Sequence, residues 1–328
     1  MTANIDFLKK ITHGAVKIIK NDEGYNFYRM TEAQMHACSL TDPGFVDKAA
    51  ATAGVRFEFV TDAESFSLKG TLHESTTRFF GYIDVAVNGV LVQHEGTEDC
   101  RRYPVVDMTV RLDGKKNKVV VYMPCLVRFV LQEITFENAS VIEPVEKKFK
   151  MLCWGDSITQ GYDAHYSALT YTNQLSDALD AEVFNKAIGA EYFNPAYFAE
   201  PDPVKPDLMT VAYGTNDWNR TSIERLDKSS YGFFENMNRF YSDVPVYVFL
   251  PLWRKDFDRV AVAGTFTEAR DVIIENCRKF SNITMIDTFG FIPHIETFFE
   301  DKYLHPNDLG FMCMVRNLLE YIKVQDQR

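Results

Sequence analysis

The sequence predicts an antiparallel β-sandwich over residues 1–148, followed by an α/β domain with a parallel sheet over residues 149–328. Two contrasting rhythms predict this. Between Val55 and Phe136, short alternating segments are separated by turn dipeptides, the pattern of strands with one buried face. Beyond Lys148, short and nearly continuous apolar runs alternate with helical stretches, the pattern of parallel strands covered on both faces. A length of 328 residues is also above the usual size of one domain, and 46% hydrophobic with 25% charged residues describes an ordinary globular protein.

In chain order, a short helix is expected at Asn4 to Lys10. Strands follow at Val55–Val60, Phe66–Gly70 and Tyr82–Val87. Asn88-Gly89 between Val87 and Val90 is a hairpin signal, since both residue types tolerate positive φ. Asp113-Gly114 marks another turn before Lys118–Met123, and Arg128–Phe136 is the next strand. Strands with almost no helix between them imply a sandwich. Pro144 and the charged Glu146-Lys147-Lys148 interrupt the last strand, which sets the boundary between Glu143 and Lys148.

In the second half, strands are expected at Met151–Trp154, Val183–Asn185, Leu208–Tyr213, Val246–Leu250 and Ile283–Ile286. Helices are expected among them at Thr172–Leu179, Thr267–Lys279 and Leu309–Val324. Open α/β sheets bind ligands beyond the carboxyl ends of their strands. Ser157, Gly189 and Asn216 each follow such an end. No internal repeat or low-complexity segment interrupts the pattern.

Trp154-Gly155-Asp156-Ser157-Ile158-Thr159-Gln160-Gly161 places a serine where an apolar run stops and a helix can begin. A hydroxyl held there is exposed beside backbone N–H groups able to stabilise an oxyanion. Gly-Asp-Ser alone also describes an ordinary turn. Three further segments occur in order: Asn185-Lys186-Ala187-Ile188-Gly189, Ala212-Tyr213-Gly214-Thr215-Asn216-Asp217 and Leu304-His305-Pro306-Asn307. Together the four resemble the blocks of the SGNH hydrolase superfamily, the GDSL esterases and lipases, over roughly residues 149–328. A jelly-roll-like module before such a domain resembles certain carbohydrate acetyl esterases.

The resemblance implies a three-layer, flavodoxin-like hydrolase domain that needs no metal or organic cofactor. It implies Ser157 as nucleophile, His305 as general base, and an oxyanion hole made by the Ser157 and Gly189 N–H groups with the Asn216 side chain. The chemistry agrees: a neutral hydroxyl attacks well only when a base removes its proton, and imidazole suits that task near neutral pH. Asp156 is expected to hydrogen-bond the turn that holds the nucleophile, and it also borders the substrate pocket. One position departs from the pattern. Where the family usually has an aspartate three residues before the histidine, this chain has Lys302, which cannot accept a hydrogen bond when charged. Asp301 could be brought round to orient His305, Glu300 could substitute, or a backbone carbonyl could leave a Ser-His dyad as in family-two carbohydrate esterases.

Trp218 and Trp253 follow strand ends on the catalytic edge, where they either wall a sugar or acyl pocket or pack against loops. Arg254 is expected in a surface salt bridge. His165 and His294 match no block and read as structural or solvent-facing, and His36, His73 and His94 have no ligand spacing. Six cysteines without paired spacing read as free buried thiols.

The net charge of −11 is uneven: residues 1–148 carry 18 basic and 20 acidic side chains, and residues 149–328 carry 17 and 26. That excess disfavours nucleic acid and anionic membrane surfaces as partners, and leaves neutral esters, small-molecule or oligosaccharide, as the easier substrates. The first ten residues lack a signal-peptide apolar region and no stretch approaches a membrane span, so a cytoplasmic address is expected. The expected reaction is hydrolysis of O-acyl esters, O-acetyl groups on sugars foremost, through an acyl-enzyme. A lipase, thioesterase or acyltransferase on the same machinery, or a non-catalytic sugar-binding protein, are the other readings; intact Ser157, Asn216 and His305 speak against the last.

Overall fold

The computed structural model describes residues 4–322. Two antiparallel sheets form the N-terminal part. One orders its strands Thr12–His13, Arg56–Thr61, Asn117–Tyr122, Gly81–Val87 and Val90–Thr97, with Ile142–Pro144 also paired to Arg56–Thr61. The other orders Lys17–Asn21, Gly24–Tyr28, Val127–Glu137, Ser65–Glu74 and Val105–Arg111. Their inner faces enclose a phenylalanine-rich core in which Phe59 meets Phe66 and Phe136 edge-on, at 5.6 and 5.3 Å between ring centroids. Asn88 and Gly89 both take positive φ, 50° and 82°, closing the hairpin with the twist that its strands need. Asn4 caps the first helix, Ile5–Ile11, by accepting from the Phe7 N–H.

The second part is built on five parallel strands: β1 Phe149–Gly155, β2 Ala181–Asn185, β3 Leu208–Ala212, β4 Val246–Leu250 and β5 Ile283–Asp287. Their order is β2-β1-β3-β4-β5, the flavodoxin-like arrangement, with β1 and β3 adjacent at the point where connections diverge to the two sides. Helices Tyr171–Leu179 and Asp308–Leu318 pack together, and Ile223–Tyr241 packs with Phe266–Cys277. The expected last helix ends earlier than the sequence suggested, at Leu318, and Val324 lies outside the described residues. No helix among the described residues is long and apolar enough to cross a membrane.

The N-terminal half contains more helix than its rhythm predicts. Thr31 opens Glu32–Thr41 with a capping box to Gln34, and Gly44–Ala49 follows. These helices do not belong to the sandwich core. Met30, Ala37, Cys38, Phe45 and Ala49 join Leu152, Trp154 and Phe233 in the core on one face of the parallel sheet. Arg29 is buried there and donates to the carbonyls of Asn185 and Ala187 at the end of β2. The chain therefore threads residues 29–49 into the second half before returning to complete the sandwich.

Candidate active site

β1 ends at Gly155, and Asp156 caps the short helix Ser157–Gln160 by accepting from the Ile158 N–H at 3.1 Å. Ser157 is its first residue, with its N–H pointing out of the helix start. Its hydroxyl donates to His305 Nε2 at 2.9 Å, a contact between residues 148 apart in sequence. His305 Nδ1 in turn donates to Asp301 Oδ2 at 2.8 Å, which fixes the tautomer that leaves Nε2 as acceptor.

Lys302 adopts φ 56°, and the chain folds back so that Asp301 Oδ1 accepts from the N–H groups of Tyr303, Leu304 and His305. A carboxylate one residue further from the histidine is thus carried into the place that Lys302 vacates. Partial burial works against the charge on Asp301, but the bonds from His305 and the loop amides, with the nearby imidazole, hold its carboxyl well below the usual range. Glu300 turns away to His165, 3.8 Å distant, and a backbone carbonyl is not the partner of Nδ1. A second carboxylate also faces that nitrogen: Asp163 Oδ2 lies 3.5 Å from it. Asp163, Asp301 and His305 are close enough to offer three donors to a cation, but the Arg78 guanidinium already engages both Asp163 oxygens.

Asn216 sits in the first turn of helix Thr215–Arg220, just beyond β3, and donates to the Glu191 carbonyl at 3.1 Å and to Asp156 Oδ2 at 3.3 Å. It therefore joins the loops after β1, β2 and β3. Gly189 requires correction. Its N–H, expected to face an oxyanion, donates instead to Gln160 Oε1 at 2.7 Å, and its carbonyl accepts from Lys48 Nζ at 2.9 Å. The glycine is needed for close approach: a Cβ there would stand 2.5 Å from the Tyr162 hydroxyl oxygen and 2.6 Å from its ring. The next residue, Ala190, has φ 71°, and among the described residues neither its N–H nor that of Ser157 donates to another protein atom.

Three buried carboxylates lie beneath the cleft. Burial pushes Asp156 up to about 6, and Glu191 and Asp217 up to about 7. Asp217 accepts from the Phe193 N–H with one oxygen, and its other oxygen lacks a partner. Asp156 is 2% exposed; it serves the turn and Asn216, and it lines a small cavity with Ile158, Tyr213, Thr215 and Leu252.

Neither tryptophan walls the site. Trp218 is fully buried, donates to the Gly264 carbonyl and lies beside the guanidinium groups of Arg254 and Arg259, at 4.8 and 4.6 Å. Trp253 is 8% exposed and stacks on His294 at 5.0 Å. Arg254 is buried, unlike the surface pair expected of it: it bonds Asp256, Thr215 Oγ1 and the Tyr303 hydroxyl, tying the Asn216 helix to the histidine loop. Of the six free cysteines, five are buried and Cys313 is half-buried. Asp163, Arg78, Gln160, Lys48 and Ala190 escaped the sequence reading. Only Gln160, one turn after Ser157, lies inside a motif; Arg78, Asp163 and Ala190 reach the site from the connections around it, and Lys48 from helix Gly44–Ala49.

Comparison with known proteins agrees with this fold. No curated protein matches the chain. Among solved structures, the salicylyl-acyltransferase SsfX3 from a tetracycline biosynthetic pathway is 19% identical over 99% of each chain, with TM-score 0.83. A family two carbohydrate esterase from Clostridium thermocellum in complex with cellohexaose is 14% identical over 83% of this chain and 93% of that one, at 0.65. The acetyl xylan esterase Est2A from the rumen bacterium Butyrivibrio proteoclasticus is 11% identical over 98% and 97%, at 0.65. At such identities these likenesses speak to fold. The family model of the GDSL-like lipase/acylhydrolases matches residues 153–312, the span from the end of β1 through the histidine loop. Over that span, this chain is similar to the GDSL-like lipase/acylhydrolase family.

Proposed function

We propose that the protein is a serine esterase that removes O-acyl groups, O-acetyl above all, from carbohydrates through an acyl-enzyme. The observation that carries this reading is the continuous hydrogen-bonded chain Ser157–His305–Asp301, at 2.9 and 2.8 Å. In this reading Ser157 Oγ attacks the ester carbonyl as His305 Nε2 takes its proton, and Asp301 stabilises the imidazolium that forms. His305 then returns the proton to the leaving alkoxide. Water, activated by the same nitrogen, releases the acid and regenerates the serine. Negative charge on the carbonyl oxygen meets the Ser157 N–H and the Ala190 N–H, the latter in place of Gly189, and the Asn216 amide joins them by exchanging its 3.3 Å bond to Asp156 for the oxyanion.

The substrate class is supported by the acidic second half, which favours neutral esters, and by the sandwich-before-hydrolase order shared with carbohydrate esterases. Acetate release across a panel of acetylated sugars, with Ser157→Ala as blank, tests the proposal. The substrate claim fails if none is cleaved while longer acyl chains or thioesters are cleaved efficiently. A second reading, acyl transfer, is favoured by the end-to-end likeness to a salicylyl-acyltransferase. It predicts that an added alcohol acceptor outcompetes water for the acyl-enzyme.

A further inference from the structure

We propose that Arg78 and Asp163 are a positioning pair through which the N-terminal sandwich sets the imidazole of His305; this rests on the esterase reading above. Arg78 belongs to the connection between sandwich strands Ser65–Glu74 and Gly81–Val87. It grips Asp163 with a fork, Nε to Oδ1 at 2.5 Å and a terminal nitrogen to Oδ2 at 2.9 Å. The gripped carboxylate is 4% exposed and stands 3.5 Å from His305 Nδ1. Asp163 adopts φ 68°, a left-handed conformation found where surrounding contacts dictate the backbone. Tyr162 fills the corner, with its ring 5.6 Å from the Arg78 guanidinium carbon and 5.6 Å from the His305 ring.

The charges facing His305 come from several elements. Asp301 lies on its own loop, Asp163 after the nucleophile helix, Asp156 at the nucleophile turn, and Arg78 stands behind Asp163. Two carboxylates around one nitrogen favour the imidazolium, and the Arg78 charge offsets one of them. The two members of the pair should therefore act on the base in opposite directions. A bridge that only joined the domains would shift neither direction.

The pH profile of kcat/KM on 4-nitrophenyl acetate tests this, using the full chain and Asp163→Asn, Arg78→Met and Arg78→Lys. Asp163→Asn should move the acid limb to lower pH, because an unopposed Arg78 charge disfavours the imidazolium. Arg78→Met should move it to higher pH, because Asp163 is then uncompensated. Shifts of about half a pH unit or more are expected, with kcat reduced about 3- to 10-fold. Arg78→Lys should keep the wild-type limb and lose kcat through the missing fork. The same shifts should be seen in the His305 ring nitrogens by NMR titration of the folded variants in a Ser157→Ala background, which reads the imidazole independently of turnover. Superimposed profiles and titrations, with Ser157→Ala inactive, would overturn this inference alone. Ester hydrolysis that survives Ser157→Ala would overturn the esterase reading and this inference with it.

Discussion

Gly189 donates its backbone N–H to Gln160 Oε1 at 2.7 Å, while Ala190 beside it holds φ 71° with its N–H unpaired among the described residues. The division of labour is plain in physical terms. Gly189 lets the Tyr162 ring approach, and Ala190 carries the turn that directs a free donor.

Adjacent substitutions should consequently have opposite signs. Gly189→Ala forces a Cβ to 2.5 Å from the Tyr162 hydroxyl oxygen, and Tyr162 packs beside His305, so overpacking should cost roughly 1–3 kcal/mol and displace the base. A drop in kcat of more than about tenfold is expected. Ala190→Gly relieves a left-handed alanine, worth about 1 kcal/mol, and keeps the N–H. Its kcat should stay within about twofold of wild type and its Tm should rise by about 2 °C. Steady-state kinetics and thermal melts of the two variants check both halves.

Asp301→Asn should cut kcat by between about tenfold and 10⁴-fold, since an amide at Oδ2 no longer holds the His305 tautomer or its positive charge. The protein should stay folded, because the other side-chain oxygen can still accept from the Tyr303, Leu304 and His305 amides. Glu300→Gln, at a side chain turned towards His165, should leave kcat within about threefold. Turnover measured at saturating substrate separates the two; near-equal values would return the dyad to favour.

Asp217 should make the fold more stable at low pH than at high pH. Burial raises its carboxyl to about 7, far above an unfolded value near 4, so the folded state holds the proton more tightly. Its contribution is complete below about pH 4 and is lost as pH rises through about 7. Asp217→Asn keeps an acceptor for the Phe193 N–H and cannot ionise. Relative to wild type it should gain on the order of 3 kcal/mol at about pH 8, with the gain vanishing near pH 4. Urea midpoints across that range give the sign directly.

The sequence was most readable where one local rule sufficed. Apolar runs gave the five parallel strands because four of them are buried along most of their length, the edge strand Ile283–Asp287 being only partly covered, and Asn88-Gly89 gave a hairpin because few pairs tolerate those φ values. The strand-end positions of Ser157 and Asn216 followed from topology. What stayed hidden depends on distant partners. Arg78 and Asp163 are 85 residues apart and meet only because a sandwich loop comes up to the connection after the Ser157 helix. Trp218 reads equally as a pocket wall or as loop packing until Arg254 and Arg259 are seen beside it. The helix at Glu32–Thr41 was readable from Thr31 and Gln34, whose spacing is that of a capping box, but it lies amid strands that set a different expectation.

The interface between the halves offers a final prediction. Arg56, 1% exposed in a sandwich strand, contacts Glu58 at 2.5 Å and crosses to Asp177 on helix Tyr171–Leu179 at 2.8 Å. Glu58 is fully buried, and Lys147 reaches it at 2.8 Å. Burial opposes its ionisation, but Arg56 and Lys147 outweigh that and hold its carboxyl below the ordinary value. Arg56→Met should therefore cost roughly 3–5 kcal/mol, because it removes the buried partner of a buried carboxylate and leaves it only Lys147 and the half-exposed Lys118, and the double change Arg56→Met/Glu58→Leu should recover most of the loss. The sign with pH is the reverse of that for Asp217: the Glu58 contribution is present above about pH 4.5 and lost as pH falls. The cost of Arg56→Met should accordingly shrink in acid, as Glu58 takes up a proton and no longer needs its partner. Equilibrium unfolding of the single and double variants at about pH 7 and pH 4 separates a buried ion pair from a packing defect, whose cost would be the same at both.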